Sequence, residues 1–231
     1  MKAHVPGNQK RNQILLFESK QNYYRNGGVP NSAGVYLSKT NVVMVPLSSL
    51  GVKKLSGSYT YDYKSDNSVL IHELVHQLTD HEYFLHGALG WFSEGLAEYC
   101  SVTPYRSGKF LSRSVKDDVR DYVTAFGKEG KGGRALGTEF PAPDLRAFML
   151  QSYSSFTANA NYNYGLGALI TYYFFHMESD RRNITSFLKA LKQGKTGEVA
   201  LAELLNGRTF DELEQDIHKA WKSSGIKIHF Q

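Results

Sequence analysis

Ser68-Val-Leu-Ile-His-Glu-Leu-Val-His76 is the stretch whose reading decides the fold. Leu70, Ile71, Leu74, Val75 and then Leu78 recur at helical spacing, which predicts a helix over residues 67–80 capped by Asp66, Asn67 or Ser68. Residues four apart share a helix face, so His72 and His76 project side by side. Two neutral imidazoles there can hold one divalent ion at about 2.0–2.1 Å each. Glu73 lies one position along, rotated by about 100°. It can sit beside such an ion without binding it and take a proton from water, the general-base role this spacing carries in zinc hydrolases.

Two ligands do not complete a catalytic zinc site, which takes three protein ligands and leaves one position open. The next stretch, Trp91-Phe-Ser-Glu-Gly-Leu-Ala-Glu-Tyr99, offers Glu94 and Glu98 one helical turn apart. Glu94 follows His76 by eighteen positions, enough for the chain to turn and bring back a second helix. That helix is expected over residues 94–101 with Ser93 as its N-cap. Glu98 shares the face of Glu94 and is placed to accept the free N–H of a metal-bound histidine, His72, fixing its tautomer. The plain alternative is a solvated pair of histidines and an ordinary charged helix face. The joint occurrence of both segments weighs against it.

Together the two segments resemble a gluzincin, a zinc peptidase with H-E-x-x-H on one helix and Glu on the next. Trp91-Phe-Ser-Glu94-Gly95 is similar to the W-x-x-E-G of zinc aminopeptidases in the peptidase MA-like superfamily. The resemblance implies Zn2+ as cofactor, Glu94 rather than Glu98 as third ligand, and a peptide or protein substrate. It implies an α+β, zincin-like fold, with a small mixed N-terminal sheet and the active-site helix before a mainly helical C-terminal part. It makes residues 42–46 the edge strand preceding that helix. Tyr162, in Tyr162-Asn-Tyr-Gly165, takes the place of a tyrosine that stabilises the oxyanion, with Tyr164 as the alternative. The layout also resembles bacterial domains of the superfamily that are exported or tied to the cell envelope within longer precursors. The interval from His76 to Glu94 is one residue shorter than in aminopeptidases, and G-x-M-E-N has no counterpart before His72. A metzincin would place Gly at Thr79 and His at Glu82. His81 and His86 stand outside that register and read as solvent-facing residues.

A chain of 231 residues suits a single domain over 1–231, with 1–80 as sheet plus active-site helix and 81–231 as the helical part. The lone Cys100 excludes an intramolecular disulfide and is expected to pack near the Glu94 helix. No run reaches the roughly 18 apolar residues of a transmembrane helix. Residues 1–12 are polar, without the apolar core of a signal peptide, and the abrupt start suits the catalytic part of a longer protein. The net charge of +5 is modest, with many cations at 106–134: Arg106, Lys109, Arg113, Lys116, Arg120, Lys128, Lys131 and Arg134. No nucleic-acid motif accompanies them, so a solvated face is expected rather than a nucleic-acid partner. A non-catalytic binding module on the same scaffold is the alternative function, and Glu73 argues against it, since a structural site needs no base.

Strands are expected at 14–17 and 42–45, with Gly34-Val-Tyr as a further extended segment and 57–63 as a loop or strand. Helices are expected at 111–126, from the Asp144 cap to about 151, and at 166–177, 184–191, 199–205 and 210–222. Thr209 and Glu212 form a capping box for the last. The glycine-rich stretch 127–137 lacks phosphate-binding spacing and reads as a connection. Tyr172-Tyr-Phe-Phe reads as core.

Overall fold

The computed structural model describes residues 12–62, 65, 68–84, 89–111, 115–125, 133–195 and 197–231, with the Arg106 side chain excepted. The caps Asp66 and Asn67, residue Tyr63, His86, the cations Arg113, Lys128 and Lys131, and residues 1–11 and 126–132 therefore lie outside the described residues. The chain divides into two compact units, Met1–Asp80 and His81–Gln231. The first carries a small mixed sheet and a long helix. The second is mainly helical, with short two-stranded sheets.

In the first unit, β1 (Gln13–Phe17) and β2 (Val35–Leu37) flank β3 (Val42–Pro46), joined through α1 (Lys20–Arg25). β1 runs parallel to β3 and β2 antiparallel, in register Gln13↔Val42 and Leu37↔Val42. The run Val-Val-Met-Val is buried along its whole length because both of its faces are covered. Successive residues alternate between those faces. Val43 and Val45 pack with Leu50 against Val69, Leu70 and Leu74 of α2 (Ser68–Leu78). Val42 and Met44 pack with Tyr23 against Phe17 and Val35. This corrects the expectation of an edge strand. β3 is central, paired with β1 along Val42–Pro46 and with β2 along Val42–Met44. The apolar run reports that both faces are buried and carries no sign of which edges are paired.

After the 3-10 turn Leu47–Leu50, β4 (Val52–Leu55) and β5 (Ser58–Tyr61) form a hairpin. Ser56 and Gly57 both have positive φ, 47° and 89°, the paired left-handed conformation that matches strand twist in a two-residue turn.

In the second unit, α3 (Gly90–Val102) packs along α7 (Ala160–Tyr172). Glycine at the crossing lets the two backbones meet. A Cβ on Gly95 would fall 2.4 Å from the Gly167 carbonyl oxygen and 2.5 Å from Thr171 Oγ1. α3 begins a turn earlier than expected. Leu89 occupies the N-cap without a side-chain bond, and Ser93 is buried inside the helix. The apolar pair Trp91-Phe92 accounts for this. Trp91 is fully buried among Phe92, Phe174 and Phe187, at ring separations of 5.8, 5.9 and 5.6 Å. Burying those rings requires the first turn to be helical.

The helix expected at 111–126 is shorter, α4 (Lys116–Thr124), and a hairpin of β6 (Tyr105–Arg106) and β7 (Lys109–Phe110) precedes it around Ser107 and Gly108. β8 (Glu139–Ala142) pairs in parallel with β9 (Lys227–Phe230), joining distant segments. α5 (Leu145–Leu150) starts at the expected cap, Asp144, which accepts from the Ala147 N–H at 2.7 Å. α6 (Tyr153–Ala158) precedes α7, and a π-helical turn, Tyr173–Met177, follows it. Tyr172, Tyr173 and Phe174 are core residues. α8 (Arg182–Lys192), α9 (Gly197–Leu205) and α10 (Phe210–Lys222) complete the unit, and the Thr209–Glu212 capping box is formed. Among the described residues, no helix is long and apolar enough to cross a membrane.

Candidate metal centre

On α2, the Nε2 atoms of His72 and His76 stand 3.2 Å apart. Two nitrogens on a tetrahedral ion at about 2.0–2.1 Å would be about 3.3–3.4 Å apart, so the pair already has nearly the spacing an ion requires. Gln77, next to His76, donates through Nε2 to two main-chain carbonyls, Gln13 at 3.1 Å and Asn41 at 2.9 Å. This ties the end of α2 to β1 and to the residue before β3. Glu73 rises past Gly34. A Cβ on that glycine would come within 3.2 Å of Glu73 Cγ and 3.1 Å of Val69 Cγ2, so the missing side chain leaves the room Glu73 uses.

α3 is buried on nearly every side, and it carries two carboxylates there: Glu94 is 2% exposed and Glu98 3%. A buried charge persists only with partners that satisfy it. Glu98 has a strong set. Arg134 grips it with a two-pronged fork, Nη2 to Oε1 at 2.6 Å and Nε to Oε2 at 3.0 Å, and the Tyr122 hydroxyl donates to Oε2 at 2.5 Å. Burial works against the Arg134 cation, but Glu98 and Tyr122 outweigh it and hold its pKa above the ordinary value.

Glu94 receives hydroxyl groups. Tyr153 donates to its Oε1 at 2.8 Å, and Tyr164 is hydrogen-bonded to it as well. Burial, and then the negative field of Glu94, raises the Tyr164 pKa far above the usual phenol range, so this hydroxyl stays a donor. Both tyrosines are neutral, so they orient the carboxylate without cancelling its charge.

His72, His76 and Glu94 form a cluster whose ligand atoms all lie within 4.8 Å of one another, and which can hold a metal ion. Two imidazoles and a carboxylate are also the donor set of a three-ligand zinc site. No match to this chain is found among protein-family models or curated proteins.

The remaining sequence expectations have the following places. Tyr162 is partly buried, and its hydroxyl donates to the Pro141 carbonyl at 2.5 Å, with its ring edge-on to Phe140. Burial raises its pKa to about 12. Tyr164, two residues on, is the one of the pair that meets Glu94. Glu98 has Arg134 and Tyr122 as its partners on its own unit. His81 is exposed, as expected. Cys100 is partly buried on α3, and burial raises its thiol pKa to about 12. Two described cations of the basic stretch have acidic partners. Arg120 is paired with Asp117 and Asp121, both at 2.8 Å, and Arg134 turns inward.

Sequence reasoning missed Tyr122, Tyr153 and Arg134. The last stood in a stretch read as a plain connection. The available signal was the buried helix itself, since two carboxylates on a helix that also carries Trp91, Phe92, Leu96 and Ala97 need a cation and donors from elsewhere.

Proposed function

We propose that this protein is a zinc-dependent metallopeptidase of gluzincin type, hydrolysing peptide bonds with Glu73 as general base. The observation that carries the reading is the His72–His76–Glu94 cluster with Glu73 adjacent in sequence to one of its histidines. A divalent ion held by these three residues would supply Lewis acidity, polarising a carbonyl and lowering the pKa of water towards about 7. Glu73 accepts the proton of the attacking water and delivers it to the leaving amine. Tyr164 serves as donor to the oxyanion by turning its single O–H from Glu94, where it rests, to the substrate oxygen as charge builds there, while the hydroxyl of Tyr162 is held by the Pro141 carbonyl. With β3 enclosed in its sheet, an extended substrate would pair at another edge.

The test is cleavage of a diverse peptide library by zinc-loaded protein, read by mass spectrometry. Cuts that vanish with a chelator and return with added zinc support the reading. No cuts by protein with one bound zinc would leave the non-catalytic binding module as the better account. Tyr164→Phe is expected to lower kcat about 10²-fold or more, the loss typical of an oxyanion donor. Tyr162→Phe should change it less than threefold. The reverse order in steady-state kinetics would reassign the donor to Tyr162.

A further inference from the structure

Arg134 reaches α3 by a specialised route. The N–H groups of Arg134, Leu136 and Gly137 donate to the carbonyls of Tyr122, Val123 and Thr124 at 2.8, 2.9 and 3.0 Å, strapping this segment along the end of α4. Within the strap, Ala135 has φ 51°, flanked by Gly133 at 112° and Gly137 at 79°. A non-glycine residue holds a left-handed conformation when its surroundings over-determine it. Here Asn161 Nδ2 donates to the Arg134 carbonyl at 2.8 Å. Gly165 of α7 makes room as well: a Cβ there would fall 2.9 Å from Leu136 Cδ1 and 3.2 Å from Arg134 Cβ.

The guanidinium does more than grip Glu98. It lies over the ring of Tyr164 at 5.1 Å and over that of Tyr122 at 5.7 Å. Phe156 stacks on Tyr164 as well, with centroids 5.7 Å apart and planes inclined by 25°. The Tyr164 ring is therefore held by a cation and an aromatic plane, and its hydroxyl is the group that meets Glu94.

We propose that Arg134 is a positioning residue for Glu94: locked on Glu98, it fixes the Tyr164 ring, and Tyr164 holds the Glu94 carboxylate in the orientation that metal binding needs. The inference rests on the reading of Glu94 as a metal ligand. Lysine at 134 would keep the charge near Glu98 but not the planar fork or the stacking. Arg134→Lys should therefore lower zinc affinity about tenfold, within the range for groups that orient ligands. It should also alter the visible absorption of the Co2+-substituted protein, which a merely stabilising role would leave alone. Tyr164→Phe should do the same, and Arg134→Lys/Tyr164→Phe should be no weaker than the worse single variant, since both act through one hydroxyl.

Wild-type zinc affinity and Co2+ spectrum in Arg134→Lys, or additive losses in the double variant, would overturn the proposal. If Arg134→Lys fails to fold, Arg134→Met/Glu98→Met removes both charges at similar volume. That variant is expected to bind zinc at least tenfold more weakly, and unchanged binding would count against the proposal equally. Glu94→Gln separates the two readings. If it loses metal while the Arg134 variants keep it, only the positioning role fails. If it binds metal as the wild type does, the assignment of Glu94 as a ligand fails.

Discussion

Glu73→Gln is expected to lower kcat by about 10²- to 10⁴-fold, the range general acid–base groups contribute, while leaving zinc stoichiometry at one per chain. Glutamine matches glutamate in length and shape, and the space at Gly34 that admits the Glu73 stem admits glutamine equally. What is lost is the ability to accept a proton. The ligand atoms of His72, His76 and Glu94 are untouched, so metal content measured by elemental analysis should equal that of the wild type. A drop in KM of similar size to the drop in kcat would place the effect in substrate binding rather than proton transfer. Turnover within tenfold of wild type would exclude Glu73 as the base.

Gly95→Val should destabilise the protein by about 3 kcal/mol, the upper end of the usual cost of overpacking. At this chain length that is a fall of roughly 6–12 °C in Tm. The reason is local and severe. The first atom of any side chain at 95 meets the Gly167 carbonyl and Thr171 Oγ1 at 2.4 and 2.5 Å, and Gly167 is itself closed in by the Trp91 carbonyl at 3.1 Å. Backbone cannot rotate aside as a side chain can, so α3 and α7 must separate. Glu94 is the preceding residue, so zinc affinity should fall with stability. A Gly95→Val protein with wild-type Tm in calorimetry would mean that the crossing is looser than these distances imply.

The parts of this architecture that were legible in sequence are those written in short-range patterns. The spacing of Leu70, Ile71, Leu74 and Val75 foretold α2 and, with it, the shared face of His72 and His76. The Thr209–Glu212 capping box and the Asp144 cap were equally local, and both formed. Ser56-Gly57 and Ser107-Gly108 are turn dipeptides that went unread as hairpins, although Ser-Gly is itself a turn signal.

Other features depend on partners far along the chain. The pairing of β8 with β9 joins residues near 140 to residues near 228, and no local periodicity announces it. The apolar run at β3 fitted a strand but could not reveal that strands would pair on both of its sides. At the candidate site, histidine spacing pointed to His72 and His76 and resemblance added Glu94, and these three form the cluster that can hold a metal ion. The surroundings of Glu98 were not readable, because Arg134 arrives from a strap whose left-handed Ala135 gives no compositional cue. Tyr162 and Tyr164 both lie on α7, and sequence could not foretell that the hydroxyl of the first meets the Pro141 carbonyl and that of the second Glu94.

The Gln77 amide acts as a rotational stop. Its two N–H groups are spent on the carbonyls of Gln13 and Asn41, so α2 cannot roll about its own axis without breaking one of them. On a helix whose side chains reach about 5–6 Å from the axis, a roll of about 10° moves a side-chain tip by about 1 Å. A displacement of that size is enough to cost about 10² in rate when reacting groups must be aligned. The angular setting of the two imidazoles is thus held by the side chain that follows His76, and the sheet serves as the fixed scale against which the helix is set.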